Sequence, residues 1–429
     1  MRAYQSTRLL EKISEGMLHE IYPKLYGAFY TAEDMDSRYS TQVRRHQELF
    51  GSDEPVRIYS TPGRTELGGN HTDHNHGHVL AASINLDTIA VVSPADDMIA
   101  ILDSEGFDPV VMDLSDLSIH PEEEGTTEAL LRGIAAKFAE HGCKIRGFKA
   151  ATSTRVLKGS GLSSSAAIEV LIGTILNDLY GDYACSTTDL AIYGKYAENV
   201  YFMKPSGLMD QIACANGGIV GIDFADTASP VIDPVSYDFR AKGYTLCVVD
   251  TGGNHANLTP EYAAIPIEMR GVAEAMGKTT CHETTFEELL GQLKGLRETV
   301  GDRAVIRAIH FFFEDRRAAD MVGTLQKDDI DSYLSMVRES GKSSGMFLQN
   351  LYPTSLPSEQ GVTLALAMTE GFLMGAGAAR VHGGGFAGTI QAYIPNERFS
   401  DYVIMMERVL GKGVVTPLAI RNTPTTRIG

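Results

Sequence analysis

Lys158-Gly159-Ser160-Gly161-Leu162-Ser163-Ser164-Ser165-Ala166-Ala167 opens an apolar run from Ile168 to Leu179. Paired glycines let the backbone turn tightly, and serines at a helix start can satisfy its unpaired N–H groups. Exposed N–H groups at a helix N-terminus also attract anions, above all phosphate. A plain capped helix after a turn would need fewer serines and only one glycine, so the stretch points to a phosphate cradle. It is not the G-x-x-x-x-G-K-[ST] loop, because no Lys-Ser or Lys-Thr pair follows the second glycine.

The surrounding composition narrows the classes. A chain of 429 residues suggests two or three domains, and 43% apolar residues supply ample core. A net charge of −18 argues against nucleic acid or an anionic membrane as the main partner. An acidic protein that binds phosphate must concentrate positive potential locally, and Arg155 and Lys158 flank the loop. Cys143, Cys185, Cys214, Cys247 and Cys281 are odd in number, well separated and lack a C-x-x-C. That pattern fits reduced thiols rather than a disulfide framework or zinc site. With no signal peptide and no apolar run long enough to span a bilayer, a cytoplasmic protein is expected.

Working outward, residues 7–30 show helical apolar spacing through Leu9, Leu10, Ile13, Met17, Leu18 and Ile21. Residues 31–45 are polar and read as a connector or short surface helix. Val56 to Tyr59 reads as a strand entering a turn at Thr61-Pro62-Gly63. Segments 79–93, 99–103 and 110–114 suggest a meander of short strands rather than βαβ units. A helix over 126–141 and a strand over 145–152 lead into the loop. A second helix, 187–203, stops at Lys204-Pro205-Ser206-Gly207. Strands are predicted over 217–224 and 244–250, and then helices over 260–276, 286–300, 304–322, 330–351 and 361–373. Strands over 378–381 and 389–394, a helix over 398–410 and a strand over 414–418 complete the pattern. Mostly antiparallel strands mixed with helices make an α+β fold, with a domain boundary within 225–243.

Three polar clusters carry chemistry. Pro62 to Gly77 contains Arg64, Glu66, Asn70, His71, Asp73, His74, Asn75 and His76, a density of polar groups that an apolar core would not tolerate unpaired. Such groups on a glycine-rich loop suit a polyhydroxylated ligand; a metal site at His71, Asp73, His74 and His76 and a plain polar loop are the other readings. Glu198, late in its helix, and Asp210, twelve positions on and read as lying on the following turn, form the second cluster. Glu198 could be a solvated helix face and Asp210 a turn cap, but the apolar neighbours of Asp210 suggest partial burial, which demands a cation or hydrogen bonds. His382-Gly383-Gly384-Gly385-Phe386-Ala387-Gly388 is the third, where triple glycine suggests close backbone approach.

Together these segments resemble the galactokinase family of the GHMP small-molecule kinases. Gly63-Arg64 through Asn70-His71-Thr72-Asp73-His74-Asn75 is similar to its G-R-[VI]-N-L-I-G-E-H-T-D-Y-N signature. Gly161-Leu162-Ser163-Ser164-Ser165-Ala166 is similar to its phosphate loop, Gly207-Leu208-Met209-Asp210-Gln211 to its G-[IL]-M-D-Q segment, and Gly383-Gly384-Gly385-Phe386 to its third motif. Order and spacing agree from about His46 to Ile394. The resemblance implies a two-domain α+β GHMP architecture with ATP and sugar in the interdomain cleft. It divides the chain into a helical extension at 1–45, an N-terminal domain at 46–235 and a C-terminal domain at 236–429. By position, it implies Asp210 as the carboxylate beside the reacting hydroxyl with Arg64 as its cationic partner. It implies Asn70, His71, Asp73, Gly207 and Tyr262 around the sugar, and Lys158, Gly159, Ser160, Gly161, Leu162, Ser163, Ser164 and Ser165 around ATP. Ser165, for which Ser164 is an acceptable substitute, and Glu198 would ligate Mg²⁺. The partners implied are a small sugar and ATP; oligomeric state is left open.

The departures concern the sugar more than the phosphate. Asn70 stands where the family has Glu, on the side of the galactose 6-hydroxyl, and Glu66 stands where it has Asn. Gly68 replaces Ile, His74 replaces Tyr, Leu157 replaces Pro, and Ala387 replaces a glycine. Phosphorylation of galactose at the anomeric hydroxyl leads; a kinase for a galacto-configured sugar altered at C6, such as galacturonate, and a non-catalytic sugar sensor remain as alternatives. Silencing in the family accompanies loss of the Ser-Ala step, and Ser165-Ala166 retains it.

Overall fold

The structure, a computed structural model, describes residues 3–51, 54–156, 161–204, 206–253 and 258–429. Lys158, Gly159 and Ser160 therefore lie outside the described residues.

Two sheets organise the chain. The larger contains β1 (Tyr4–Gln5), β2 (Pro55–Gly68), β3 (His78–Pro94), β4 (Ile99–Ser104), β5 (Val110–Asp113), β6 (Phe148–Thr154), β7 (Ile219–Asp223) and β8 (Val231–Val235). The smaller contains β9 (Tyr244–Asp250), β10 (Ala378–Val381), β11 (Thr389–Pro395) and β12 (Val415–Leu418), in the order β10-β11-β9-β12. The chain end returns to the larger sheet as β13 (Thr426–Arg427), paired with β2. The expected short meander is instead built on long strands. β3 pairs along its length with β2, and on its other edge first with β7 and then with β6. β4 and β6 are parallel, so one β–helix–β crossover is present where none was expected.

β2 also runs through Thr61-Pro62-Gly63 rather than turning there. Its register against β3 shifts between Pro62 and Arg64, and again between Glu66 and Gly68. A bulge dispenses with the N–H that proline lacks and re-aims the neighbouring side chains. Arg64 lies between the two irregularities.

The first thirty residues form α1 (Ser6–Ser14) and α2 (Tyr22–Tyr26) rather than one helix; Gly16 at φ 83° breaks the run, and Pro23 sits in the first turn of α2. The expected connector is the 19-residue α3 (Ala32–Phe50), started by Thr31, whose hydroxyl accepts from Asp34 N at 3.2 Å. Met35, Tyr39, Gln42, Val43 and His46 form its buried face. These helices share a core with Ile58 and Val91 of β2 and β3. Asp87 of β3 anchors them: its carboxylate accepts from Arg38 at 2.5 Å, Tyr26 at 2.9 Å and Ser60 at 2.5 Å, with Arg421 at 3.6 Å. Burial raises the Asp87 pKa, but Arg38 and Arg421 prevail and hold it below the usual range.

The remaining helices are α4 (Thr127–Glu140), α5 (Ser164–Tyr180), α6 (Thr187–Tyr196), α7 (Met209–Asn216), α8 (Thr259–Ala275), α9 (Phe286–Thr299), α10 (Asp302–Gln326), α11 (Ile330–Ser343), α12 (Gly361–Leu373) and α13 (Phe399–Leu410). Two predicted helices stop early and continue as single π-turns, Ala197–Tyr201 after α6 and Ser344–Leu348 after α11. Asp210 sits in the first turn of α7, not on a free turn. One core cluster runs from Leu67 and Ile212 beside the larger sheet to Leu246, Val248 and Tyr393 in the smaller one. None of the described helices is long and apolar enough to cross a membrane, and all five cysteines are free thiols.

Candidate active site

Arg64 and Asp210, 146 positions apart, meet in a two-bond clamp: Nε to Oδ1 at 2.7 Å and Nη2 to Oδ2 at 2.8 Å. The Arg64 Nη1 donates to Gly161 O of the phosphate loop, and its backbone N donates to Leu162 O at 3.1 Å. One arginine thus joins the polar loop strand, the phosphate loop and the carboxylate. Burial raises the Asp210 pKa, but the adjacent Arg64 charge and its hydrogen bonds hold it below the usual range. Asp210 is ionised at neutral pH, and its side chain retains 32% exposure, which leaves a face for a ligand.

Ser163 behaves unlike a capping serine. It precedes α5 at φ 58°, makes no side-chain cap, and instead donates its hydroxyl to Asp210 Oδ2. A non-glycine residue in that backbone region costs about 1–2 kcal/mol. Its place at the junction of α5 and Asp210 is the return. With the hydroxyl turned away, the first N–H groups of α5 receive no side-chain cap from Ser163, which suits a helix end that meets an anion. Arg155, which flanks the loop in sequence, pairs with Asp34 at 2.9 Å.

The polar loop and the triple glycine meet across the sheets. Asn70 is completely buried, and its side-chain amide is spent within the protein. Nδ2 donates to Gly383 O at 2.7 Å and Glu66 Oε1 at 3.1 Å, while Oδ1 accepts from Asn350 at 2.8 Å. Glu66 in turn pairs with Arg380, both buried. His71 Nε2 donates to Gly384 O at 3.1 Å, and burial, followed by the charge of His74, pushes its pKa down to about 3, so the ring is neutral. Tyr262 donates to Gly385 O at 3.1 Å and packs edge-on against Phe386; burial raises its pKa to about 12.

Asp73 lies against Gly207, where an added Cβ would stand 1.9 Å from Asp73 Oδ2. Gly207→Ala must therefore push Asp73 aside. Because misplacement by about 1 Å can cost about 10²-fold, kcat/KM for a substrate held by Asp73 is expected to fall 10- to 100-fold. Steady-state kinetics of the variant beside the wild type check this.

Glu198 stands on the π-turn after α6 and is 4% exposed. Lys204 donates to its Oε1 at 2.7 Å and Gln211 to its Oε2 at 3.0 Å. Gln211 also donates to Glu169 at 2.9 Å. Burial first, and then the charge of Glu198, raise the Glu169 pKa well above its usual range. Among the described residues no group of three or more His, Cys, Asp or Glu side chains could hold a metal ion. A hard cation here would take a carboxylate and hydroxyls and complete its shell with phosphate oxygens, the usual habit of Mg²⁺. Glu198, already drawing a cation to Oε1, and the half-buried Ser165 in the first turn of α5 fit that role. The same absence removes support for a metal at His71, Asp73, His74 and His76.

Residues that the sequence reading missed include Gln211 and Glu169, Asn350, and the Glu66–Arg380 pair. Glu169 had a signal: it is the acidic residue nearest the start of an otherwise apolar run.

Comparison with known proteins adds the lineage. Residues 44–94 match the galactokinase galactose-binding signature, and residues 129–218 match the GHMP kinases N terminal domain. A galactokinase from Streptomyces coelicolor is 31% identical over 351 residues, covering 81% of this chain and 87% of the relative. The chain belongs to the galactokinase family. It is accordingly a phosphotransferase acting on a hydroxyl group. A galactokinase from Enterococcus faecalis is 29% identical, covering 84% of this chain and 91% of its own. Among solved structures, Lactococcus lactis galactokinase complexed with galactose superposes with a TM-score of 0.76 at 23% identity, covering 91% of this chain and all of that one. A mevalonate kinase superposes at 0.60 and 14% identity. Both superpositions speak to the GHMP fold, which this galactokinase-family chain adopts.

Proposed function

We propose that the protein transfers the γ-phosphoryl group of ATP to the anomeric hydroxyl of galactose, giving galactose 1-phosphate. The observation that carries this reading is the Arg64–Asp210 clamp, which holds an ionised carboxylate at the junction of the phosphate loop and the polar loop. Phosphoryl transfer has a loose transition state, so catalysis is positioning and charge stabilisation. Asp210, a weak base because of Arg64, orients the sugar hydroxyl and accepts its proton late, as the bond to phosphorus forms. Ser163 fixes the carboxylate from the helix side. Lys158 to Ser165 would wrap the triphosphate, and Ser165 and Glu198 would hold the nucleotide's Mg²⁺, whose charge would neutralise that of the phosphates.

His71, Asp73, Gly207 and Tyr262 line the sugar. Asn70 acts from beneath: with its amide committed to Gly383, Glu66 and Asn350, it holds the polar loop to the glycine turn and sets the C6 wall through its neighbours. We place the functional divisions at 1–45, 46–235 and 236–429. With ATP as co-substrate and free thiols throughout, we place the enzyme in the cytoplasm.

A coupled ADP-release assay over galactose, galacturonate, N-acetylgalactosamine, arabinose, fucose and mevalonate tests the reading. Galactose should give the highest kcat/KM. Preference for galacturonate would move the substrate to a C6 acid, and ATP binding without turnover on any sugar would favour a sensor.

A further inference from the structure

Gln211 follows Asp210 in α7 and turns into the core, where it is 1% exposed. Its single amide nitrogen reaches two carboxylates from different segments, Glu169 Oε2 in α5 and Glu198 Oε2 on the π-turn. Both hydrogens of that nitrogen are thereby used. Glu169 is fully buried, and its Oε1 has no hydrogen-bond partner among the described residues. The ammonium of the cluster, Lys204, bonds Glu198 instead. A carboxyl group in that position is expensive, and an apolar side chain of similar volume would serve packing as well or better. Space for it is provided by Gly194, where a Cβ would lie 3.0 Å from Glu169 Oε2 and 3.2 Å from Gln211 Cγ.

We propose that Glu169 and Gln211 are positioning residues for Glu198: Glu169 anchors the Gln211 amide, and the amide pins Glu198 Oε2, so that Oε1 is the oxygen offered to the nucleotide's cation. The inference rests on the assignment of Glu198 to Mg²⁺. Glu169 and Ser165 are four residues apart on α5 and share a face, so the chain Glu169–Gln211–Glu198 ties one candidate ligand's helix to the other ligand. Mg²⁺ tolerates little departure from octahedral geometry, which makes a rotationally fixed carboxylate worth having. Lys204 holds Oε1 in the meantime, and with 58% of its side chain exposed it can yield that place to the metal and return to water.

The test is Mn²⁺ binding with a non-hydrolysable ATP analogue, followed by electron paramagnetic resonance, alongside the Mg²⁺ dependence of turnover and the thermal midpoint. Glu169→Leu should weaken Mn²⁺ binding about 10-fold or more and move the Mg²⁺ requirement by the same factor, with the sugar KM held within about twofold. Glu169→Gln keeps an oxygen that can accept from Gln211 and should hold Mn²⁺ affinity within about threefold. If the Leu variant does not fold, Gly194→Ala disturbs the same pair with every side chain intact and should weaken Mn²⁺ binding in the same direction. Wild-type Mn²⁺ affinity in folded Glu169→Leu or Gly194→Ala, with only the midpoint lowered, would make the pair structural and overturn the inference. An equal loss in Glu169→Gln and Glu169→Leu would also contradict the anchoring role. Failure of the wild-type protein to bind the Mn²⁺–nucleotide complex would overturn the kinase reading together with this one.

Discussion

Asp210→Asn is expected to lower kcat by roughly 10²–10⁴-fold while the sugar KM stays within about threefold. The amide is isosteric and fits α7, but it cannot accept from Arg64 on both of its terminal atoms. One of the two bonds, at 2.7 and 2.8 Å, is lost and the guanidinium keeps an uncompensated charge. The variant also lacks the anion that receives the hydroxyl proton. Ser163 and Arg64 remain in place, so binding through the polar loop should survive. Steady-state kinetics with a thermal midpoint for each protein separate chemistry from folding, and unchanged turnover would remove Asp210 from the mechanism.

Asp87→Ala should have the largest effect on stability. Asp87 is wholly buried, Arg38 is 7% exposed at its side chain, and Arg421 is wholly buried. Removing the carboxylate leaves two buried guanidinium groups without it and takes one acceptor from the Tyr26 and Ser60 hydroxyls. Breaking a buried pair from one side costs about 3–5 kcal/mol. For a chain this size that corresponds to a fall of about 5 °C in unfolding midpoint. Because the clasp joins α2, α3, β2, β3 and the returning C-terminal tail, it also bears on the first 45 residues: they are part of the core rather than an appendage. Activity per folded molecule should be retained. A midpoint within 1 °C of wild type would show that the cluster is already hydrated.

Much of the site could be read in the chain because its chemistry is concentrated in short glycine-rich segments. Arg64, Asp210, the serines after Gly161 and the triple glycine stand out as polar or flexible groups where packing alone would not place them. The helices from α8 onward carry clear apolar periods, and their limits fall within a few residues of the sequence reading except at the end of α11, which stops at Ser343 and gives way to the π-turn. What escaped reading depends on tertiary partners. Pro62 and Gly63 look like a turn, yet a bulge carries β2 through them, and only pairing with β3 makes that visible. The buried face of α3 uses Tyr39 and His46, which look polar until Tyr26, Ser93 and Lys149 O meet that side of the helix. Ser163 looks like a cap, and its hydroxyl leaves the helix for Asp210, 47 positions on. Asn70 stands out in the polar loop, but its bonds to neighbours up to 313 positions away depend on tertiary packing. Glu169 sits in an apolar run whose period predicts burial but says nothing of Gln211.

The central claim is phosphoryl transfer to the anomeric oxygen of galactose, and the most direct measurement is the position of phosphate in the product. Wild-type protein incubated with ATP, Mg²⁺ and galactose should release ADP and sugar phosphate in equal amounts. ³¹P NMR should show coupling of that phosphate to the anomeric proton. ADP release with phosphate on any other carbon, or no sugar phosphate at all while ATP binds, would contradict it.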